Sequence, residues 1–182
     1  MSRLYGASQD PGTYAFVALG SNLGDPQRNI HMAAHDLEEL SEAPMRASSL
    51  WETTPVDCPP GSSVFVNAVV RILPRPGETS ESLLVKLQKL ERRYGRETKR
   101  ILNEARPLDL DLILFGGEIH ATGILTLPHP RATSRRFVLE PLNEIAPGLL
   151  FPGEIRTVAE LLAGLPPDPA MRKLGRIQTR RS

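Results

Sequence analysis

Residues 106–115 read RPLDLDLILF, and this stretch decides how the chain can fold. Leucine occupies positions 108, 110, 112 and 114, and such strict alternation predicts a β-strand with one face in the core. The opposite face then carries Asp109, Asp111, Ile113 and Phe115, because side chains alternate across a strand. Two residues of strand rise amount to roughly 6.5–7 Å. We therefore expect the two carboxylates to converge on one patch at the start of the strand.

This aspartate pair predicts a cation. Two like charges held side by side repel each other, so a positive group is expected between them. Mg²⁺ fits because it binds one or two carboxylates and fills its other positions with water and substrate phosphates. The alternative is a solvated strand face with two chance aspartates, since Asp-x-Asp is a short pattern. Asp109 and Asp111 are thus candidate magnesium ligands.

The whole chain has the composition of an ordinary soluble domain. Its 182 residues are 40% hydrophobic and 24% charged, which suits one compact unit. No apolar run approaches the ~18 residues that span a bilayer, and the first residues do not resemble a signal peptide. The only cysteine is Cys58, so an intrachain disulfide or a thiolate zinc cluster is excluded. We expect a cytoplasmic protein that does not bind membranes.

Charge is unevenly spread along the chain. Residues 1–60 hold three Lys or Arg and eight Asp or Glu, whereas residues 86–106 hold eight basic residues and three acids. The last twelve residues carry five basic groups and no acid. A basic segment beside a carboxylate pair favours a polyanionic ligand bridged by metal.

Apolar periodicity predicts the order βαββαβ followed by short helices, which indicates an α+β sandwich. Asp25 and Pro26 are a good N-cap and first helical residue, Ser80 begins the second helix, and Gly95 ends it. The predicted strands are 14–19, 46–54, 64–73 and 108–115, and the later helix candidates are 137–145 and 157–165. We divide the chain into a flexible N-terminal extension (1–12), a single catalytic domain (13–165) and a basic C-terminal tail (166–182).

Five motifs occur in order along the chain: GSNLGD at 20–25, TTP at 53–55, FVNAVV at 65–70, RPLDLDLILFG at 106–116 and LPHPRATSRRFVLEPLNEIAP at 127–147. Together they resemble the 6-hydroxymethyl-7,8-dihydropterin pyrophosphokinase family of folate biosynthesis, over about residues 14–152. The resemblance implies a ferredoxin-like α/β sandwich, with a mainly antiparallel sheet flanked by helices. It also implies two Mg²⁺ ions, and transfer of the pyrophosphoryl group of ATP to the pterin hydroxymethyl oxygen with AMP leaving.

The resemblance assigns a catalytic and nucleotide site residue by residue. Arg96 and Arg106 match the family's catalytic-loop arginines, whose planar guanidinium groups suit phosphate oxygens, and Asp109 and Asp111 match its metal ligands. Further implied ATP contacts are Gln88, Glu91, Leu112, Thr126, His129 and Arg135. The alternatives are a solvated loop charge at Arg96, an exposed helix face at Gln88 and Glu91, and a plain surface histidine at His129.

The same resemblance assigns a pterin pocket. Its implied residues are Thr54, Pro55, Phe65, Asn67 and Phe137, with Gly20, Ser21 and Asn22 shaping the floor. Phe65 and Asn67 lie two apart on a strand and so share a face, where two phenyl rings could sandwich a flat pterin. The alternatives are that Asn67 satisfies a neighbouring backbone group while Phe65 lies in the core, and that residues 20–22 only form a helix-entry turn.

The loop at 96–106 departs from the family pattern. Family members often have arginine where Thr98 stands, a basic residue near Leu102, an aromatic residue or asparagine at Asn103, and Gly-Pro where Glu104-Ala105 stands. Lys99 and Arg100 are the candidates to supply the missing positive charge. We expect this polar segment to be mobile without ligands and to close when ATP and pterin bind.

Two other classes of protein remain open at this stage. A ferredoxin-like nucleic-acid-binding module would use the basic loop and tail, but it should present base-stacking aromatic residues on a sheet face. A different metal-dependent nucleotide enzyme, such as a nucleotide-sugar transferase with an Asp-x-Asp motif, would also use the aspartates. We expect a monomer that binds ATP and the pterin and no nucleic acid, and contact with another folate-pathway enzyme is a further possibility.

Overall fold

The structure is a computed structural model that describes residues 13–55, 61, 63–95 and 105–178. Its strands are β1 (Ala15–Ser21), β2 (Arg46–Ala47), β3 (Ser49–Thr53), β4 (Phe65–Ile72), β5 (Asp109–Phe115), β6 (His120–Ala121), β7 (Thr126–Leu127) and β8 (Arg172–Arg176). Its α-helices are α1 (Pro26–Glu38), α2 (Ser80–Arg93), α3 (Arg136–Ile145) and α4 (Val158–Ala163), and a 3₁₀ turn spans Ala132–Ser134.

One twisted sheet organises the domain. Its strands follow the order β5-β1-β4-β3-β8, with the short β2 also paired to β4. Every pairing in this sheet is antiparallel among the described residues. The chain order βαββαβ and the placement of β1 and β4 at the centre match the ferredoxin-like arrangement. The predicted α+β class is therefore confirmed.

Helices cover both faces of the sheet. On one face α1 and α2 bury an aliphatic stripe against alternate residues of β1, β4 and β5. On the other face α3 and α4 bury Val138, Leu142 and Leu161 against Phe16 and Val69. Because the two faces enclose separate clusters of apolar side chains, both faces of β1 and β4 lie in the core, which explains their nearly continuous apolar sequences.

Helix boundaries follow the capping residues in the sequence. Oδ1 of Asp25 accepts a hydrogen bond from the backbone N–H of Arg28 at 3.1 Å, and Pro26 begins α1. Thr79 and Ser82 form a reciprocal cap at the start of α2. Gly95, just beyond α2, has a φ of 84°, which a glycine adopts without steric cost. These predicted boundaries are confirmed.

The alternation predicted for β5 fails at its end. Phe16 of β1 pairs with Leu114 and Val17 pairs with Leu112, so Ile113 is an extra residue at a β-bulge. The bulge turns Leu114 toward the cluster under α3, together with Ile113, and turns Phe115 toward the cluster under α1 and α2. The predicted faces of Leu114 and Phe115 were wrong, whereas those of Asp109, Asp111 and Ile113 were right.

The expected C-terminal tail also needs correction. Within the segment assigned to a basic tail, β8 extends the sheet by pairing with β3, and Ile177 is only 7% exposed. Arg172 pairs with Glu52, and Lys173 lies 3.3 Å from the carboxylate of Glu144. Edge strands carry charged side chains that discourage pairing with other chains, so the RKLGR sequence gave no strand signal. In the described part of the chain, no helix has the length and apolar content needed to cross a membrane.

Candidate active site

One cavity of about 450 Å³ collects most of the residues predicted for the site. It lies where β1, β4 and β5 face the segment leading into α3. The predicted residues in its wall are Gly20, Thr54, Phe65, Asn67, Arg106, Asp109, Asp111, His129, Arg135 and Phe137. Ser21, Asn22, Pro55, Gln88, Glu91, Leu112 and Thr126 do not line it. Arg96 and the atypical residues Thr98 to Glu104 lie outside the described residues.

Three residues of the predicted pterin site, Gly20, Phe65 and Asn67, lie on one wall of the cavity. Asn67 is 7% exposed, and its Nδ2 donates to the hydroxyl of Thr53 at 2.7 Å. Gly20 pairs with Asn67 across β1 and β4, and Phe65 is half-buried nearby on β4. Among the described residues the hydrogen bond of the Asn67 side chain goes to the Thr53 side chain and not to a backbone group, and this bond fixes the plane of the amide at the cavity wall.

Phe137 forms a second part of the wall. Its ring lies under the guanidinium of Arg135, with 5.3 Å between Cζ and the ring centroid. A cation over an aromatic face is attracted by the negative charge of the ring face. The pair therefore joins a flat apolar surface to a positive group at the first turn of α3.

The two aspartates make the cavity acidic at the start of β5. Burial raises the pKa of Asp111, and the charge of Asp109 raises it further, although His129, Arg135 and Arg106 oppose both effects. Nη1 of Arg106 lies 3.1 Å from Oδ2 of Asp109. Nε of Arg106 is buried and finds no hydrogen-bond partner in the described part of the chain. Arg106 is thus held by an acid at the cavity wall.

His129 is fixed beside this pair by its backbone. Its N–H donates to the carbonyl of Ile113 at 2.9 Å, and its Nδ1 accepts from the backbone N–H of Arg131 at 3.3 Å. Burial is the main cause that lowers the pKa of His129, and Arg135 and Arg131 lower it further against the pull of Asp111. A neutral ring whose Nδ1 accepts must carry its proton on Nε2. His129 can therefore donate a hydrogen bond through that atom.

Four residues implied as nucleotide contacts stand away from this cavity. Glu91 is 6% exposed, and its Oε1 accepts from the backbone N–H of Leu110 at 2.8 Å, on the open edge of β5. Leu112 is buried in the cluster under α1 and α2. Gln88 and Thr126 are exposed. The exposed helix face considered for Gln88 and Glu91 therefore holds for Gln88 and is wrong for Glu91.

The acidic pair suits magnesium better than it suits a metal ion whose ligands are all protein side chains. Among residues 13–55, 61, 63–95 and 105–178, no group of three or more His, Cys, Asp or Glu could hold a metal ion. Two carboxylates suit Mg²⁺, which keeps several waters and binds substrate phosphates. Asp109 and Asp111 are the residues that could hold it.

Sequence reasoning missed several residues of the cavity wall. Arg131 and Arg136 stand inside the motif at 127–147, but nothing distinguished them from its other basic residues. Arg136 donates to the carbonyls of Leu162, Leu165 and Pro166, so it holds the chain that follows α4. That chain brings Asp168 to the cavity. Thr53 was quoted only as the start of a motif. No local signal in the sequence predicts the position of Asp168.

Comparison with known proteins agrees with this fold. The family model described as 7,8-dihydro-6-hydroxymethylpterin-pyrophosphokinase matches residues 16–147. The 2-amino-4-hydroxy-6-hydroxymethyldihydropteridine pyrophosphokinase of Haemophilus influenzae is 38% identical over 152 residues, which are 81% of this chain and 90% of the relative. The enzyme of the same name from Pseudomonas aeruginosa is 37% identical over 83% of this chain and 91% of the relative.

Solved structures support the fold alone. A crystal structure of HPPK-DHPS in complex with substrates superposes with a TM-score of 0.65 at 12% identity, over 85% of this chain and 43% of that one. The HPPK-DHPS of Plasmodium falciparum with pterin and p-hydroxybenzoate gives 0.61 at 14% identity, over 86% of this chain and 44% of that one. The fold and the sequence matches define a pyrophosphokinase-type domain. The chain belongs to the 7,8-dihydro-6-hydroxymethylpterin-pyrophosphokinase family.

Proposed function

We propose that this protein transfers the pyrophosphoryl group of ATP to the hydroxymethyl oxygen of 6-hydroxymethyl-7,8-dihydropterin, giving the pterin diphosphate and AMP. The observation that carries the proposal is one cavity lined both by Phe65, Asn67 and Phe137 and by Arg106, Asp109 and Asp111. A flat polar heterocycle and a polyanion can therefore be bound side by side, as a family member requires.

The bond changes fix what the site must do. The hydroxymethyl oxygen attacks the β-phosphorus of ATP, the bond from that phosphorus to the α-phosphate oxygen breaks, and AMP leaves with the bonding electron pair. The hydroxyl proton is released. Such a displacement depends on in-line positioning and on neutralising charge at the phosphates. Walls that hold both substrates against one another supply the positioning.

The residues of this chain supply donors around the phosphates. Arg106 lines the cavity, and its Nη1 is oriented by Asp109. His129 offers Nε2–H, and Arg135 extends from the start of α3 into the same cavity. These groups would bind the transferring phosphates while Phe137 covers one face of the pterin. Burial in the cavity strengthens each interaction because it excludes water.

Asp109 and Asp111 would hold magnesium, with two ions implied by the family. Burial, and after it the charge of Asp109, raises the pKa of Asp111, and a divalent cation at this place would oppose both effects. When bound, Mg²⁺ would neutralise phosphate charge and lower the pKa of a coordinated hydroxyl. Arg96 as a catalytic residue, and Gln88, Glu91, Leu112 and Thr126 as ATP contacts, stay predictions, as do the monomeric state and any contact with another folate-pathway enzyme.

A coupled assay tests the proposal. Purified protein is supplied with ATP, Mg²⁺ and the reduced hydroxymethylpterin, and adenine nucleotides are separated over time. We expect AMP to form in proportion to the pterin consumed, and no AMP without pterin. Formation of ADP instead of AMP would contradict pyrophosphoryl transfer, and an absence of any turnover would contradict the function altogether.

A further inference from the structure

Asn29 joins three segments that meet beside the cavity. Its Nδ2 lies 3.3 Å from Oγ of Ser21, 3.0 Å from the carbonyl oxygen of Leu23 and 3.1 Å from the carbonyl oxygen of Pro107. Ser21 ends β1, Asn29 lies in the first turns of α1, and Pro107 precedes β5. One amide group thus connects the end of one strand, the start of a helix and the residue beside Arg106.

A second asparagine completes the connection. Oδ1 of Asn22 accepts from the backbone N–H of Arg106 at 2.9 Å, and the backbone N–H of Asn22 donates to the carbonyl of Arg106 at 3.2 Å. Asn22 is 3% exposed. The backbone of Arg106 is therefore held on both sides by the turn at 21–23, and that turn is held by Asn29.

Local propensity does not explain an asparagine at this place in α1. Asparagine competes with helical hydrogen bonds and favours caps and turns. Here Asp25 already caps the helix, so position 29 serves the contact to the turn and to Pro107. Residues that break a local rule in this way are expected at functional sites.

We infer that Asn29 is a positioning residue for catalysis, which acts by fixing the backbone of Arg106 so that its guanidinium faces the cavity and Asp109. The catalytic consequence rests on the proposed function. A displaced Arg106 would bind the phosphates in the wrong place, and a shift of about 1 Å in such a group lowers turnover on the order of 100-fold. Asn29 itself does not line the cavity.

Two substitutions separate this role from simple support of the helix. Asn29→Ala removes the amide. Asn29→Asp keeps its size and suits the negative charge preferred near a helix N-terminus, but it removes both N–H donors. Asp25→Ala is the matched control, because it weakens the same helix end through loss of its cap, and the side-chain hydrogen bond that it removes goes to Arg28. Circular dichroism checks that each variant is folded.

The decisive readout is a double-mutant cycle with Arg106→Ala in the AMP-release assay. Both Asn29 variants should lower kcat by about 10- to 100-fold, with KM for ATP and pterin changed much less, and Asp25→Ala should keep the kcat of the wild-type protein. Adding Asn29→Ala to Arg106→Ala should lower kcat no further, since a residue that acts through another has no effect without it. A wild-type kcat in either folded Asn29 variant, or a double variant whose loss is the product of the single losses, would overturn the inference.

Amide hydrogen exchange tests whether Asn29 holds the backbone of Arg106, and this measurement does not depend on enzymatic activity. The N–H of Arg106, bound by Oδ1 of Asn22, should exchange faster in both Asn29 variants than in Asp25→Ala. Equal protection of the Arg106 N–H in all three variants and the wild-type protein would show that Asn29 does not hold the backbone of Arg106. A wild-type protein that forms no AMP would contradict the proposed function, and the exchange experiment would still decide whether Asn29 holds Arg106.

Discussion

Gly20 and Asn67 face each other across β1 and β4 so closely that a Cβ atom on Gly20 would lie 3.2 Å from Oδ1 of Asn67. The same atom would lie 3.9 Å from Cβ of Asp109. The glycine therefore leaves space at the point where the predicted pterin wall meets the acidic pair. An asparagine amide offers both a donor and an acceptor, which suits the alternating edge of a pterin.

We predict that Asn67→Leu weakens pterin binding by about 1–3 kcal/mol, because the polar edge of the ligand would be left without a partner. ATP binding should change little. Calorimetric titration with each ligand measures both effects. Unchanged pterin affinity in a folded Asn67→Leu variant, or an equal loss for ATP, would show that Asn67 is structural.

Glu91 and Gln88 lie one turn apart on α2 and should respond differently to substitution. Glu91→Leu leaves the N–H of Leu110 unsatisfied at a buried strand edge and should lower the free energy of unfolding by about 1–3 kcal/mol. Glu91→Gln keeps an acceptor, and Gln88→Leu alters an exposed position, where changes usually stay within about 0.5 kcal/mol. Urea denaturation measures all three variants. Glu91→Leu with wild-type stability would show that this hydrogen bond contributes nothing.

Asp111 should make stability depend on pH when metal is absent. Its pKa is raised in the folded protein, chiefly by burial, so the folded state holds the proton more tightly than the unfolded state. Stability therefore falls as pH rises from about 3.8, the usual pKa of an aspartate, through the raised pKa. Asp111→Asn removes this penalty. In EDTA at neutral pH the variant should therefore melt at a higher temperature than the wild-type protein.

Magnesium should reverse that order of melting temperatures. A cation that binds only the folded wild-type protein stabilises it by mass action, and Asp111→Asn lacks one of the two carboxylates. Thermal melts in EDTA and in millimolar MgCl₂, each from pH 4 to 8, measure the effect. A wild-type protein that is unaffected by Mg²⁺ across this range would contradict the magnesium site.

Arg131 should contribute to ATP binding although no motif assigned it. It lines the cavity beside His129, and its charge lowers the pKa of that histidine. Arg131→Ala should weaken ATP by about 1 kcal/mol, roughly fivefold in Kd, and the difference should shrink at high salt. Arg28→Ala, which removes an exposed arginine from α1, is the control. Equal ATP affinity in both variants would remove Arg131 from the site.

The sequence predicted the parts of this molecule that depend on local chemistry. Caps at Asp25 and Gly95 and the paired aspartates of β5 could be identified because neighbours in sequence determine them. The faces of Leu114 and Phe115 could not, since a bulge is decided by how β5 pairs with β1. Asp168 reaches the cavity at the end of a segment that Arg136, from a distant part of the sequence, holds after α4. Glu91 is buried for a similar reason, because its carboxylate accepts a hydrogen bond from the backbone N–H of Leu110, on an edge strand that is distant in sequence.

The most direct test of the account is the rate of AMP formation by Asp109→Asn and Asp111→Asn at saturating Mg²⁺, ATP and reduced pterin. Asp25→Asn is the control, since it makes the same chemical change away from the cavity and asparagine is also a good N-cap. We predict that both cavity variants stay folded and lose most of their turnover, whereas the control keeps the wild-type rate. Wild-type turnover in a folded Asp109→Asn or Asp111→Asn variant would contradict catalysis at this acidic pair.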